Sequence, residues 1–180
     1  MNYLKTSRVV DSVKLLIDKI NSPIGTILIV ADGEKLCAVD FADCEQRMGK
    51  LLHKRYPSFY FQQTHNPQGF SSLVQGYLEG DRYSLNNIPL DTGGTPFQQQ
   101  VWLALPTIPW GTTISYGQLA AKINQPTASR AVGLANSLNP IAIVLPCHRV
   151  VGANNLLTGY AGGLERKRWL LNHEKVEILP

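Results

Sequence analysis

The segment LPCHRV, residues 145–150, pairs a thiol with an imidazole one position later, and the rest of the chain can be read outward from it. An apolar run over 141–145 leads into it, and Pro146 favours an extended residue before it. We therefore expect Cys147 to lie just past a buried, strand-like segment. A nucleophilic cysteine needs a base or cation nearby, and His148 is the nearest candidate, although contact between neighbours on an extended chain requires a turn or a water. The alternative is a buried structural cysteine.

The bulk composition is that of an ordinary globular protein. The 180 residues are 44% apolar and 17% charged, which suffices for one large domain or two small ones. No apolar stretch reaches about 18 residues, the length that a membrane-spanning helix needs, and the N-terminus lacks the apolar segment of a signal peptide. Three cysteines without close spacing do not form a disulfide pattern. We therefore expect a protein of the reducing cytoplasm.

The net charge of +4 is unevenly placed along the chain. Residues 1–91 hold ten Lys and Arg against ten Asp and Glu, whereas residues 92–180 hold seven against three. The whole excess of positive charge therefore lies in the half that contains the cysteine and histidine. A basic half is compatible with a polyanionic partner such as DNA, but charge alone equally fits a solvated basic face.

The first half of the chain predicts consecutive strands combined with two helices. Alternation and turn residues predict strands over 13–20, 26–31, 36–41 and 59–63. Asp43 is the candidate cap of a helix over about 44–56, and a second helix is expected over 69–79, where Gly80 stops it.

The second half is mostly helical, after a linker over 90–94. Three helices are expected, each with its own cap: Thr95 for a helix to about 105, Ser115 for 116–123, and Thr127 for a helix ending near 138. The last two form a helix-turn-helix pattern. The centre of the third helix, RAVGLAN at 130–136, offers few groups to base edges but allows close approach to a minor groove. Close packing between helices favours the same small residues, so the sequence leaves both uses open.

Taken together, these motifs resemble the O6-alkylguanine-DNA alkyltransferases. PCHRV at 146–150 is similar to the acceptor motif of that family, and other blocks follow in the family's order over about 92–174. They are ISYGQLA at 114–120, SRAVG at 129–133, NP at 139–140, TGYAGG at 158–163 and WLLNHE at 169–174. The first half resembles the stand-alone bacterial members more loosely.

The resemblance implies an α+β fold in two parts. A small ribonuclease H-like domain, with an antiparallel sheet and helices, would occupy 1–91. A mostly helical, winged-helix-like domain would occupy 92–180, bind DNA and carry the acceptor cysteine. The implied partner is duplex DNA, bound by a monomer without a membrane or an obligate protein partner.

The implied reaction is one irreversible transfer of an alkyl group to Cys147, from guanine O6 and also from O4-alkylthymine. No metal and no cofactor would take part. His148 would act through a water as the base that generates the thiolate. Glu174 would bond to His148 and fix its tautomer. Because the target atom faces the inside of the duplex, the base would be flipped out of the stack.

The resemblance also implies which residues hold the DNA. Arg130 would fill the gap that the flipped base leaves, although an ordinary surface ion pair is the alternative. Tyr116 would crowd the 3′ phosphate and donate to the purine N3, the alternative being a half-buried helical tyrosine. The small residues Ala131, Gly133 and Ala135 would lie along the minor groove.

The pocket for the alkylated base would be completed by residues on either side of the motif. The carbonyls of Cys147 and Val150 would accept from the guanine amino group. The amide of Ala161, where the family often has serine, would donate to O6. Tyr160 would form the wall of the alkyl pocket.

The resemblance also bears on the corner before the motif and on the other two cysteines. Asn139 would tie the recognition helix, which is the helix ending near residue 138, to the acceptor loop, which is the segment leading to Cys147. Pro140 would lie at the corner where the helix meets the loop. Cys37 and Cys44 are expected to be buried structural thiols, and the spacing of the histidines predicts no metal site.

Three other functions fit parts of the sequence. An alkyltransferase-like protein would bind the lesion without reacting, but such proteins lack the cysteine. A helix-turn-helix regulator would need a polar recognition face. A cysteine hydrolase would turn over repeatedly on an ester or amide.

Overall fold

A computed structural model describes residues 12–176, and its first half is built on a four-stranded sheet. The strands are β1 (Val13–Ile20), β2 (Ile27–Ala31), β3 (Leu36–Phe41) and β4 (Phe59–Gln63), in the order β3-β2-β1-β4. All four strand predictions are confirmed to within a residue. The pairs β1–β2 and β2–β3 are antiparallel, but β4 runs parallel to β1. The expected antiparallel pairing is therefore found for three strands, whereas β4 departs from it, because the chain crosses the sheet between β3 and β4 and returns in the same direction as β1.

Two helices cover opposite faces of this sheet. They are α1 (Glu45–His53) and α2 (Phe70–Leu78). Met48 of α1 packs with alternate residues of the strands, and Val74 of α2 packs with the other set, as expected from side chains that alternate between faces. The prediction of Asp43 as a helix cap is wrong. A short 3-10 turn over Ala42–Cys44 precedes α1, and the Asp43 carboxylate instead pairs with Arg166 at 3.0 Å.

The second half contains four α-helices within the described residues. They are α3 (Pro96–Ala104), α4 (Tyr116–Lys122), α5 (Ser129–Ser137) and α6 (Leu164–His173), and strands β5 (Ile114–Ser115) and β6 (Val150–Val151) pair in parallel. The predicted caps Thr95 and Ser115 are confirmed, each as a complete capping box. Thr127 is not a cap, because Ala128 occupies the N-cap position and its amide bonds back to Gln125 in a tight turn.

One hydrophobic core joins the two halves. It runs from one face of the sheet through Trp102 of α3 and Val132 of α5 to Leu145 and Leu170. Within residues 12–176 no helix is long and apolar enough to cross a bilayer. The shared core means that the acceptor segment is packed against both halves of the chain.

The run over 141–145 is buried, as predicted, but it is a closed loop and not a strand-like segment. The side chain of Asn139 accepts from the amide of Ile141 at 3.0 Å and donates to the carbonyl of Leu145 at 2.8 Å. Both ends of the run are therefore held by one side chain, which an extended strand of five residues could not satisfy. The start of the run is joined to the sheet by an isolated bridge between Ile141 and Val39 of β3.

Two three-residue turns shape the loop just before the motif. The amide of Val144 bonds to Ala142 at 2.8 Å across Ile143, whose φ is +72°. A positive φ is strained for a β-branched residue. The second turn is centred on Pro146 (φ −77°, ψ 65°), which matches an inverse γ-turn. These turns bring Cys147 to the start of a new helical turn.

Candidate active site

Cys147 and His148 belong to one turn of 3-10 helix, Cys147–Arg149. Successive side chains of such a turn lie about 120° apart, so the neighbours no longer point to opposite sides. Cys147 is 5% exposed and His148 is fully buried. Burial raises the pKa of the Cys147 thiol, while the Asn139 side chain and nearby positive charges lower it in part. The resting thiol therefore depends on its neighbours for deprotonation.

Glu174, at the end of α6, is a buried carboxylate that accepts four hydrogen bonds. Its Oε1 accepts from Nε2 of His148 at 2.9 Å, from the Tyr77 hydroxyl at 2.8 Å and from Nη2 of Arg149 at 2.9 Å. Its Oε2 accepts from Nε of Arg149 at 2.8 Å. Burial alone would raise the pKa of Glu174, but His148 and Arg149 outweigh it and hold the pKa at about 2. The group is therefore ionised at neutral pH.

The ionised Glu174 determines the state of His148. Because the carboxylate can only accept, Nε2 of His148 carries the proton and Nδ1 has the free lone pair. Burial lowers the pKa of His148, and Glu174 offsets part of that effect. Among residues 12–176 no group bonds to Nδ1. The arrangement can supply a neutral base whose protonated form is stabilised by Glu174.

Sequence reasoning missed two residues that build this site. Arg149 donates two bonds to Glu174 and a third to the carbonyl of Ile108 at 2.6 Å. Tyr77 comes from the N-terminal half, 97 positions from Glu174, so no local pattern could have indicated it. Arg149 was visible in the motif, but its partner is 25 positions away.

Lys167 is a third residue that the sequence reasoning missed. It is fully buried, and its Nζ donates to the carbonyls of Val150 at 2.6 Å and Thr158 at 2.7 Å. Burial lowers the pKa of Lys167 to about 8. Its spacing from Leu170 and Glu174 places it on the buried face of α6, which is a signal that the helical period could have given.

The two carbonyls predicted to bind the guanine amino group, those of Cys147 and Val150, each accept a hydrogen bond within the protein. The Cys147 carbonyl accepts from Nδ2 of Asn136 at 3.2 Å, and the Val150 carbonyl accepts from Lys167. Each carbonyl has a second lone pair, so a further donor can still bind. The Tyr160 hydroxyl is buried and, among the described residues, has no hydrogen-bond partner.

The loop after β6 lies between Tyr116 and the N-terminal half. The Tyr116 hydroxyl is 3.4 Å from the carbonyls of Thr158 and Gly159. Ala161 is exposed, and its carbonyl lies 3.8 Å from Sγ of Cys44. Pro140, at the other side of the acceptor loop, is buried.

The predicted DNA-contact residues of α5 do not all lie on one face. Arg130 and Ala131 are exposed, and Arg130 forms no ion pair with any other described residue. Gly133 is half-buried beside the Tyr116 ring. Ala135 is 2% exposed, and its carbonyl accepts from the indole N–H of Trp102 at 2.8 Å. Placing Ala135 on the DNA face is therefore a mistake, because α3 covers that position.

Sequence profiles of two domains match this chain. The ribonuclease-like domain of 6-O-methylguanine DNA methyltransferase matches residues 15–92, and the DNA-binding domain of the same enzyme matches residues 96–176. The chain belongs to the 6-O-methylguanine DNA methyltransferase family. The match accounts for both halves of the fold.

Individual members of the family resemble the chain over nearly its whole length. The methylated-DNA–protein-cysteine methyltransferase of Salmonella typhimurium is 46% identical over 169 residues, which cover 92% of this chain and 99% of that protein. The protein of the same name from Methanosarcina acetivorans is 44% identical, covering 85% of this chain and 94% of its own. The crystal structure of Mycobacterium tuberculosis OGT in complex with DNA superposes with a TM-score of 0.76 at 40% identity, covering 91% and 93%.

In this family member the other two cysteines differ from each other. Cys37 is buried, as expected, and burial raises its pKa to about 11. Cys44 is only half-buried, so the expectation of a buried thiol is wrong for it. Among the described residues the possible ligand atoms of Asp32, Cys37 and Asp91 lie within 4.8 Å of one another, which the spacing did not predict. Burial keeps the Cys37 thiol protonated at neutral pH, and Asp91 accepts a hydrogen bond from the Tyr56 hydroxyl at 2.6 Å.

Proposed function

We propose that this DNA-repair methyltransferase moves the alkyl group from guanine O6 in duplex DNA to Sγ of Cys147, once per molecule. The observation that carries the proposal is that Cys147 and His148 are consecutive residues of one buried 3-10 turn, and that His148 bonds to the ionised Glu174 at 2.9 Å. A nucleophile, a base and a group that orients the base are the three parts that activated-thiol chemistry requires.

The proposed steps follow from the protonation states of the site. Nδ1 of His148 takes the thiol proton through a water, and the imidazolium that forms is stabilised by Glu174. The sulfur attacks the alkyl carbon, the C–O6 bond breaks, and its electron pair stays on the guanine oxygen. The proton held by His148 returns to the guanine through solvent. The product thioether on Cys147 is stable, because regenerating the thiol would require a second nucleophile to displace a sulfur that is not activated as a leaving group, so the protein would react once.

The base must leave the stack to reach Cys147. Flipping costs a few kcal/mol, and exposed Arg130 at the start of α5 is the residue that would fill the gap. Tyr116 would donate to N3 of the leaving purine. The second lone pairs of the Cys147 and Val150 carbonyls would accept from the guanine amino group.

We also propose that the protein accepts alkyl groups from O4-alkylthymine. It would act as a monomer in the cytoplasm, with a boundary between its two domains at residues 91 and 92. Ala131 and the backbone at Gly133 would face the minor groove, and the backbone amide of Ala161 would donate to O6. Asn139 and Pro140 would set the distance between the DNA-binding helix and the thiol.

Two rival functions predict different behaviour from this site. An alkyltransferase-like protein needs no nucleophile, yet this chain has Cys147 directly before the buried His148 in one 3-10 turn. A helix-turn-helix regulator needs polar groups on its recognition helix, whereas the centre of α5 carries mainly small and apolar side chains. A titration with duplex containing O6-methylguanine separates them: we expect one methyl group per protein, while zero groups or continued turnover would contradict the proposal.

We expect Arg130→Ala to slow transfer from duplex DNA by about tenfold or more, but transfer from free O6-benzylguanine by less than about twofold. Filling the stack matters only when a base leaves it, and unstacking costs a few kcal/mol. Single-turnover rates on both substrates would measure the effect. The matched control is Lys122→Ala, which removes an exposed positive charge from the last turn of α4. Equal slowing on both substrates would contradict the role of Arg130.

A further inference from the structure

Arg47 is a residue of the N-terminal half that reaches the corner between the DNA-binding helix and the acceptor loop. Its Nη2 donates to the carbonyls of Ser137 and Asn139, both at 2.8 Å. Its Nη1 donates to Oδ2 of Asp40 at 2.5 Å. Arg47 lies on α1, 90 and 92 positions before its two carbonyl partners, and nothing in the sequence pattern indicated the contact.

The two carbonyls that Arg47 binds lie at the end of α5 and at the start of the acceptor loop. Ser137 is the last residue of α5, where helix carbonyls lack partners within the helix and carry partial negative charge. Asn139 follows it, and its side chain closes the acceptor loop. A guanidinium offers several donors in one plane, so it can bind both carbonyls and fix the angle at which the helix leads into the loop.

Strand β3 forms backbone hydrogen bonds with the same corner. The amide of Val39 donates to the carbonyl of Pro140 at 3.1 Å, and the amide of Ala142 donates to the carbonyl of Val39 at 2.9 Å. The next residue, Asp40, is 2% exposed and holds Arg47. Backbone and side chains of the N-terminal half therefore hold consecutive parts of the segment that leads to Cys147.

We propose that Arg47 is a positioning residue for alkyl transfer, so that the N-terminal half supports the acceptor loop in addition to bonding Glu174 through Tyr77. The inference rests on the proposed function. The arrangement also reaches the thiol electrostatically: burial raises the pKa of Cys147, the Asn139 side chain lowers it, and the charge of Arg47 lowers it further. Arg47 acts through the corner and touches no substrate.

This role predicts a pattern of effects that differs from that of Arg130. Arg130 acts on the duplex, so its loss spares the free base. Arg47 sets the place of Cys147 itself, so its loss slows transfer from duplex DNA and from free O6-benzylguanine alike. A displacement of about 1 Å can cost about a hundredfold in rate. We therefore expect a loss of at least about tenfold on both substrates.

The test uses the full chain with Arg47→Gln, Arg47→Lys and the double variant Asp40→Asn/Arg47→Gln, which leaves no buried carboxylate unpaired. The matched control is Met48→Ala on the same helix, since Met48 is 1% exposed and packs in a cluster that contains none of the three bonding partners of Arg47. Maximal single-turnover rates, DNA affinity and melting temperatures are measured for all variants, with the rates taken at a temperature where each is folded.

We expect Met48→Ala to lower the melting temperature and keep the wild-type rate. Arg47→Gln and the double variant should lose the rate on both substrates, and Arg47→Lys should recover part of it, because an ammonium can bind Asp40 and one carbonyl. An Arg47→Gln rate equal to that of Met48→Ala, with active wild-type protein, would overturn the positioning role alone. A wild-type protein that accepts no alkyl group would overturn the proposed function and this inference together.

Discussion

Replacing Cys147 with serine is expected to reduce alkyl transfer by at least about a thousandfold, the scale on which loss of a nucleophile acts in other enzymes. A hydroxyl in this site is far less acidic than a thiol, so His148 cannot generate a comparable nucleophile. The side chains are similar in size, and the site is 5% exposed, so the surrounding loop should keep its shape. DNA affinity should therefore stay within about twofold, because a near-isosteric change inside the pocket adds no surface charge.

Cys44→Ser is the matched control for Cys147→Ser. Cys44 is a half-buried thiol whose Sγ lies 3.8 Å from the carbonyl of Ala161, so it is a second thiol beside a residue that the proposal assigns to the pocket. We expect this variant to transfer at the wild-type rate. Gel-shift titration with alkylated duplex and a transfer assay would measure both properties. Loss of DNA binding together with transfer in Cys147→Ser would mean that the thiol is structural, and retained transfer would mean that another group accepts the alkyl chain.

Glu174→Ala is expected to have the largest effect on stability. It would leave the buried donors of His148, Arg149 and Tyr77 without their shared acceptor. Breaking one partner of a buried ion pair costs about 3–5 kcal/mol. At roughly 2–4 °C per kcal/mol for a chain of this length, the melting temperature should fall by roughly 6–20 °C. Calorimetry would measure the change.

Glu174→Gln separates catalysis from folding. Glutamine keeps an acceptor for His148 but cannot stabilise the imidazolium, so we expect a loss in transfer rate of about a hundredfold or more, within the range for acid–base groups. Glu165→Gln, an exposed change in the first turn of the same helix, is the control and should have no effect. A Glu174→Gln variant with wild-type rate would contradict the role of the carboxylate.

The low pKa of Glu174 also gives a dependence of stability on pH. The folded value of about 2 lies below the ordinary value of 4.5, so the folded state favours the ionised form. The stabilisation is complete above about pH 4.5 and is lost as the pH falls towards about 2. The difference in unfolding free energy between the wild type and Glu174→Gln should therefore shrink as the pH falls through this range. A difference that stays constant from pH 7 to pH 3 would contradict the assigned ionisation.

Local sequence signals predicted the parts of the fold that local physics decides. Thr95 and Ser115 cap their helices because a side-chain oxygen and a glutamine three positions later satisfy the first amides within one turn. Asp43 and Thr127 have suitable side chains too, yet neither caps a helix. Asp43 binds Arg166, which lies 123 positions later, and no local rule can foresee such a competitor.

The acceptor loop is another region where local sequence rules predict only part of the structure. Its apolar run was correctly predicted to be buried, but Asn139 closes it into a loop that periodicity cannot describe. The resemblance to a family indicated Cys147, His148 and Glu174 together. It did not indicate Arg47, whose contacts join positions about 90 apart. Ala135 was misplaced because the position of Trp102 over α5 depends on tertiary packing.

The most direct test of the account is a mass spectrum of the protein after reaction with duplex DNA that contains one O6-methylguanine. A methyl group in place of a hydrogen adds about 14 Da, the mass expected for a thioether formed by nucleophilic cysteine chemistry. We predict that the intact protein gains one such increment and no more with excess DNA, and that peptide mapping places it on Cys147. An unchanged mass, several increments, or a methyl group on Cys37 or Cys44 would contradict the account.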